Sequence, residues 1–97
     1  MSTEVTLQTF APLVGEAFHV DAGAAGRLAL TLERAEASAT GDGAGREPFT
    51  LLFRGPTEPV LPQRTYGLEH PSLGRTEIFI VPIGSDADGV SYEAVFA

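Results

Sequence analysis

Residues 26–37, GRLALTLERAEA, carry the clearest alternating pattern in the chain and decide its fold class. Leu28, Leu30 and Leu32 fall on one side of an extended backbone, whereas the positions between them are polar, charged or small. Successive side chains of a β-strand point to opposite faces, so a period of two residues predicts a strand with one buried face. This stretch therefore places the chain among β proteins.

Comparable patterns recur along the chain, separated by short segments rich in Gly, Pro and Asp. Including the stretch above, six segments are predicted to be strands: residues 16–20, 26–37, 49–55, 64–70, 75–83 and 90–96. Many short strands joined by turns at regular spacing are typical of an antiparallel barrel or sandwich. The prediction is a mainly β protein, a small antiparallel six-stranded barrel or sandwich.

One short helical turn is expected before the first strand. Thr6 is a favourable N-cap, and Leu7 and Phe10 then fall on one helical face. Pro12 lacks an N–H and disfavours a longer helix, while Gly15 can close a tight turn. We expect this N-terminal piece to plug one end of the sheet structure.

The length of 97 residues is that of one domain, spanning residues 1–97. Residues 38–48 contain three glycines and no periodicity, which predicts an exposed, mobile loop. The start of the chain has neither a basic segment nor an apolar run, so no signal peptide is expected. A cytoplasmic location follows as an expectation, with export by a route that reads no such signal left open.

Charge and composition argue against several classes of function. The net charge is −7, and all six cations are arginines scattered singly, so neither nucleic acid nor an acidic membrane surface is an expected partner. The absence of Cys excludes disulfides and thiolate metal sites. No stretch approaches the apolar length of a transmembrane helix.

The stretch YGLEHPSLG, residues 66–74, holds the most reactive-looking neighbours in the chain. Pro71 presets the backbone for a turn, and Gly74 accepts the left-handed conformation that closes a hairpin. The catalytic alternative makes His70 a base and Ser72 a nucleophile. The preceding glutamate, Glu69, points to the opposite face of the strand and cannot orient the histidine. A tight hairpin is the prediction, and no catalytic residue is assigned.

Metal and cofactor sites are also not expected. The candidate ligands have no paired spacing, and the two histidines lie about fifty residues apart; these candidates are His19, Glu69, His70 and Glu77. Residues 85–89, SDADG, resemble the first half of a calcium loop, but position 97 is Ala where a bidentate Glu is required. A turn is predicted instead, with Asp86 and Asp88 bonded to nearby backbone and Gly89 at positive φ.

The preferred functional hypothesis is a non-enzymatic β protein that binds protein, either its own copies or a larger partner. Phe79, Val81 and Ile83 are predicted to share one face of a strand that is apolar on both sides. Tyr92 and Val95 belong to an apolar C-terminal strand that would offer unpaired backbone groups if it lay at an edge. These five residues are the predicted partner contacts.

Two alternatives remain open at this stage. The first is a small-ligand binder or enzyme with a pocket at the barrel mouth near Arg54, Tyr66 and His70. The second is an inhibitor or immunity-type protein whose acidic charge meets a basic partner in a salt-dependent complex.

Four stretches together resemble a known family: FAPLVGEAF, FTLLFRGP, YGLEHPSLGRTEIFIVPIG and SYEAVF. The family consists of bacterial proteins of about the length of this chain and is classed as a domain of unknown function. The resemblance runs from Phe10 to Phe96 and departs at residues 41–47. It implies no catalytic residues, and it implies a structural or binding role, as an accessory of phage-tail-like or surface-fibre assemblies.

Overall fold

A computed structural model describes residues 6–23, 26–37 and 48–96 of the chain. These residues form a closed antiparallel barrel preceded by a short helical segment. The elements in chain order are α1 (Leu7–Phe10), a 3-10 turn (Ala11–Leu13), β1 (Ala17–Asp21), β2 (Arg27–Ala37), β3 (Phe49–Gly55), β4 (Arg64–His70), β5 (Gly74–Asp86) and β6 (Gly89–Phe96). The predicted six-stranded antiparallel class is confirmed, and of the two predicted architectures the barrel is the one observed.

The strands follow the order β1-β2-β3-β6-β5-β4 around the barrel. β6 lies between β3 and β5, so the C-terminal strand is inside the sheet. β5 is long enough to pair with β4 through its first half and with β6 through its second. The closing contact between β1 and β4 is the shortest ladder, in which His19 faces Glu69 and Val20 faces Leu68.

Alternation along the strands fills the interior. β3 shows it most clearly, because every second residue from Phe49 to Gly55 is buried. Of the three leucines in the first stretch, Leu30 and Leu32 are fully buried, whereas Leu28 lies nearer the strand end and is partly exposed. Gly55 is required at its position because a Cβ there would lie 2.6 Å from a Leu30 methyl carbon.

The N-terminal segment closes one end of the barrel, as predicted. Thr9 accepts the Thr6 N–H through Oγ1 at 3.0 Å, which supports the first turn of α1. Phe10 is fully buried, and its ring centroid lies 5.9 Å from that of Phe49 and 5.8 Å from that of Phe96. The chain then turns at Gly15, whose φ is 94° and whose N–H donates to the Leu32 carbonyl. The plug is thus tied to the sheet by aromatic packing and by backbone hydrogen bonds.

The opposite end is covered by the proline-rich connection of residues 56–63. Leu61 is 4% exposed, and its N–H donates to the Tyr92 hydroxyl at 2.9 Å. The Tyr66 hydroxyl donates to the Pro62 carbonyl at 2.8 Å. The connection is therefore held by buried aromatic side chains of two strands.

Two irregularities bend the long strands. The register of β2 against β3 shifts between Leu32 and Arg34, and that of β5 against β6 shifts between Pro82 and Gly84. Each shift leaves one extra residue outside the ladder, which increases the local twist of the strand. The loop predicted at residues 38–48 lies, apart from residue 48, outside the described residues.

Candidate functional site

The corner at residues 66–74 is a hairpin turn, as predicted. The Leu73 N–H donates to the His70 carbonyl at 3.2 Å, and Gly74 adopts a φ of 79°. Glu69 points outward, where its carboxylate lies 2.9 Å from the Arg27 guanidinium. Ser72 is exposed and contributes its backbone N–H to the turn. Glu69, His70 and Ser72 therefore do not converge on one point.

His70 is buried and has both ring nitrogens engaged. Its Nδ1 accepts the Ser72 N–H at 3.0 Å, and its Nε2 lies 2.6 Å from Oε1 of Glu16. Because Nδ1 acts as an acceptor, the ring proton sits on Nε2 and is donated to the Glu16 carboxylate. The ring packs on Phe18 with centroids 4.9 Å apart. His70 therefore forms part of the turn and ties it to the residue that precedes β1.

Residues 85–89 form the predicted turn, and its observed side-chain bond to backbone is made by Asp86. The Asp88 N–H donates to Oδ1 of Asp86 at 2.8 Å, and Gly89 adopts a φ of 142°. Across the described part of the chain, no three His, Asp or Glu side chains are grouped so that they could hold a metal ion. His19 and His70 lie at positions of opposite parity on neighbouring strands, so their side chains point to different sides of the barrel wall.

Arg54 forms a charged cluster that the sequence did not predict. Its Nε donates to Glu33 at 2.8 Å, and its Nη1 donates to Asp86 at 3.0 Å. The pKa of Arg54 is raised, chiefly by its hydrogen bond to Glu33. Desolvation of the guanidinium acts in the opposite direction. The backbone N–H of Asp88, and then the Arg54 charge, lower the pKa of Asp86. The cluster joins β2, β3 and the β5–β6 turn on the outside of the barrel.

The three residues named for the ligand-binding alternative, Arg54, Tyr66 and His70, do not line one pocket. Tyr66 and His70 lie at opposite ends of β4, each bonded to a different part of the chain. Burial raises the pKa of the Tyr66 hydroxyl, and the nearby Arg64 charge opposes that shift. Arg54 lies on another strand and is bonded to two carboxylates. The three residues named for that pocket are thus not brought together.

The feature that stands out on the surface is apolar. Four side chains on the outer faces of β5 and β6 form what we call the outer apolar patch: Phe79, Val81, Ile83 and Val95. Phe79 is 50% exposed, Ile83 53% and Val95 64%, while Val81 is half-buried. The β5–β6 ladder stops at the pair of Val81 with Glu93, so Phe79 and Val95 flank the point where the two strands separate.

One predicted contact residue is wrong. Tyr92 is fully buried, and its hydroxyl accepts the Leu61 N–H, so it faces the core rather than a partner. The sequence could have shown this, because side chains alternate along a strand. Tyr92 and Val95 are three positions apart and must point to opposite faces. β6 also pairs with β3 along residues 90–96 and with β5 along residues 89–93, so the C-terminal strand is not an edge strand of the sheet.

The fold and these surfaces define a small closed β-barrel with a plugged end and a well-bonded interior. Within the described residues, no buried side-chain nitrogen or oxygen lacks a hydrogen-bond partner. The chain belongs to the family described as Domain of unknown function (DUF6916), which it matches over residues 5–96. The predicted family relationship is thereby confirmed, while a bacterial origin stays a prediction.

No curated protein and no solved structure matches this chain. Among the described residues, the helical segments are too short and too polar to cross a membrane.

Proposed function

We propose that this protein is a non-enzymatic β-barrel that works by binding another protein chain through the outer apolar patch. The observation that carries the proposal is the exposure of Phe79, Ile83 and Val95 on neighbouring strands of a barrel whose interior is already filled. Single exposed apolar residues are ordinary, whereas a contiguous group of them marks an interaction surface.

The patch is large enough to matter energetically. Fully burying a large apolar side chain is worth about 1.5–3 kcal/mol, so covering the exposed half of one contributes about 0.8–1.5 kcal/mol. Three such side chains supply about 2.4–4.5 kcal/mol, a substantial part of the roughly 8 kcal/mol of a micromolar complex. Aromatic anchors such as Phe79 are also the residue type that dominates measured interface energies.

The charges around the outer apolar patch suggest which residues surround the apolar centre of the partner's binding surface. Glu93 lies beside the patch, opposite Val81, and has no ion-pair partner among the described residues. The chain as a whole carries a net charge of −7. A partner with basic residues around an apolar centre complements both features, and its association rate falls as salt is added.

The experiment places a photoreactive phenylalanine analogue at position 79 and, as the matched control, at position 14. Val14 is 44% exposed and lies in the N-terminal plug, outside the patch. We expect a discrete adduct from position 79 and none from position 14, in extracts of the source cells and with the purified protein at increasing concentration. An adduct of twice the chain mass identifies self-association, and a heavier or lighter one identifies a different partner.

A second measurement uses the substitution Phe79→Glu beside Val14→Glu, which makes the same change of charge. Light scattering of the two variants separates loss of assembly from a general effect of added charge. Identical adducts at positions 79 and 14, or assembly unaffected by Phe79→Glu, would contradict the proposal.

A further inference from the structure

The strand β4 is paired unequally on its two sides. All seven residues of β4 have register partners on β5, from the pair of Arg64 with Ile80 to the pair of His70 with Gly74. On the other side, the β1 register consists of the pairs that Leu68 and Glu69 form. Residues 64–67 therefore have no register partner on the β1 side within the described chain. In an antiparallel strand, the N–H and C=O groups of alternate residues in such a segment point to that open side.

A surface depression of about 680 Å³ lies at this opening. One wall is formed by residues 21–23 and Arg27, at the end of β1 and the start of β2. The other wall is formed by residues 64–67 together with Leu61 and Pro62. We call this depression the β1–β4 slot. Four residues of β-strand span about 13 Å, so the slot matches a single short extended segment in length.

The two faces of the slot differ in chemistry. Tyr66 and Leu61 supply an apolar inner side, since both are largely buried at the capped end of the barrel. On the outer side, Gly67 has no side chain, and the Arg75 guanidinium lies where a Cβ on residue 67 would be. A strand placed beside β4 would alternate its side chains between this apolar inner side and the polar, charged outer side.

The charges of the slot differ from those of the whole protein. Its lining contains Arg27, Arg64 and Arg75, half of the chain's six cations, in a protein with 13 acidic residues. Arg27 is paired with Glu69, and Arg75 with Glu77. The third acidic residue of the lining is Asp21, whose Oδ1 accepts the Gly23 N–H at 3.0 Å.

Arg64 is thus the lining cation that has no carboxylate partner among the residues described. Its guanidinium carbon lies 5.9 Å from the centre of the Tyr66 ring, at the start of the unpaired segment. A carboxylate carried by a segment in the slot would give this arginine the partner that the chain itself does not provide.

We propose that the β1–β4 slot binds an extended peptide segment of a partner protein, which adds to β4 as a strand and places an acidic side chain against Arg64. Main-chain hydrogen bonds to residues 64–67 hold the segment, and the alternate side-chain positions select it. The slot and the outer apolar patch share no residue, so this inference does not depend on the function proposed above, although Thr65 of the slot is the register partner of Phe79 of the patch.

The test measures amide hydrogen exchange at residues 64–67 by NMR, with and without added peptide. The probes are hexapeptide amides that alternate valine with serine, in which one residue at a time is replaced by aspartate, because Arg64 lies on the Tyr66 face of β4. In the free protein, the open-side amides of this segment should exchange at least about tenfold faster than amides of β3, which is paired on both sides. At least one aspartate peptide should slow that exchange and shift the same amide signals.

Matched controls separate backbone pairing from charge. A peptide with its central valine replaced by proline loses a ladder hydrogen bond and should not protect the segment. Arg64→Ala should weaken binding of the aspartate peptide by up to about fivefold, the range of an exposed ion pair. Arg34→Ala, which removes an exposed arginine outside the slot, should leave binding unchanged.

Ile83→Glu should also leave peptide binding unchanged, because Ile83 belongs to the outer apolar patch and has no register partner on β4, which distinguishes failure of the slot from failure of the patch. The inference is overturned if the open-side amides are as protected as those of β3, or if no peptide of the set alters them at millimolar concentration. Equal binding of the proline peptide overturns it as well, and so do signal shifts at residues 64–67 that follow protein concentration without peptide, because a second copy would then be the occupant.

Discussion

Replacing His70 with alanine tests whether this histidine stabilises the fold rather than acting in chemistry. Its side chain is 4% exposed, its ring packs on Phe18, and its two nitrogens bond to Glu16 and to the Ser72 N–H. The contacts with Glu16 and Phe18 join the start of β1 to the β4–β5 turn, and the bond to Ser72 lies within that turn. His70→Ala removes them together and leaves a cavity beside Phe18.

The size of the effect follows from what each partner does afterwards. The Glu16 side chain is 51% exposed and Ser72 lies at the surface, so both regain hydrogen bonds from water. The cost is therefore mainly lost packing, and large-to-small changes in cores cost about 2–5 kcal/mol. We expect about 2–4 kcal/mol for His70→Ala, since the site lies close to the surface. In a domain of this size, that lowers Tm by about 10–25 °C.

Two companion variants separate the contributions. In His70→Asn, the side-chain oxygen can still accept the N–H two residues further on, so part of the loss should be recovered. Glu16→Gln keeps a hydrogen-bond acceptor and removes a half-exposed charge, which should cost less than about 1 kcal/mol. The assay is urea unfolding of the four proteins followed by circular dichroism, with the free energies compared at a common slope.

Two results would refute this account of His70. The first is a His70→Ala protein whose free energy of unfolding lies within about 0.5 kcal/mol of the wild type, the range of an ordinary surface substitution. The second is a loss from Glu16→Gln as large as that from His70→Ala, which would mean that charge pairing rather than packing dominates. If His70→Asn lost a binding or catalytic activity at unchanged stability, His70 would have a functional role.

Two further perturbations test the plug and the charged turn. Phe10→Ala should lower the free energy of unfolding by about 3–5 kcal/mol because a fully buried aromatic anchor is lost; urea unfolding measures this, and a loss near that of the partly exposed Leu13→Ala would contradict it. Asp86 has its pKa lowered below the ordinary 3.8 by the Asp88 N–H and by Arg54, so its contribution to stability is present above about pH 4 and is lost as the pH falls through its folded pKa. Accordingly, the stability difference between wild type and Asp86→Asn should shrink on acidification from pH 7 to pH 2, and a carboxyl NMR titration that places Asp86 at or above 3.8 would contradict the assignment.

Most of the fold could be predicted from local sequence patterns. Period-two alternation located the strands to within a few residues, because a strand with one covered face must place apolar side chains at every second position. Pro71 and Gly74 located the β4–β5 turn, and Pro12 limited the N-terminal helix, because these residues restrict or extend the backbone angles wherever they stand.

The candidate sites were harder to predict from the sequence than the fold. Phe79 and Ile83 were predicted as exposed contacts from a strand that is apolar on both faces, and the structure leaves that face uncovered. Tyr92 was assigned to the same surface although its parity with Val95 forbids it. The Arg54 cluster and the β1–β4 slot had no sequence signal, since each joins segments far apart in the chain.

What the sequence determined by itself was the set of strands, their two faces and the turns between them, since these depend on neighbours two to four positions away. The tertiary structure decided which face meets which, through pairings such as Glu16 with His70, 54 positions apart. It also decided that the barrel closes at β1 and β4 by a short ladder, which leaves residues 64–67 open on one side. Register between distant strands is set by the joint packing of the whole core, and alternation within one strand carries no information about its partner.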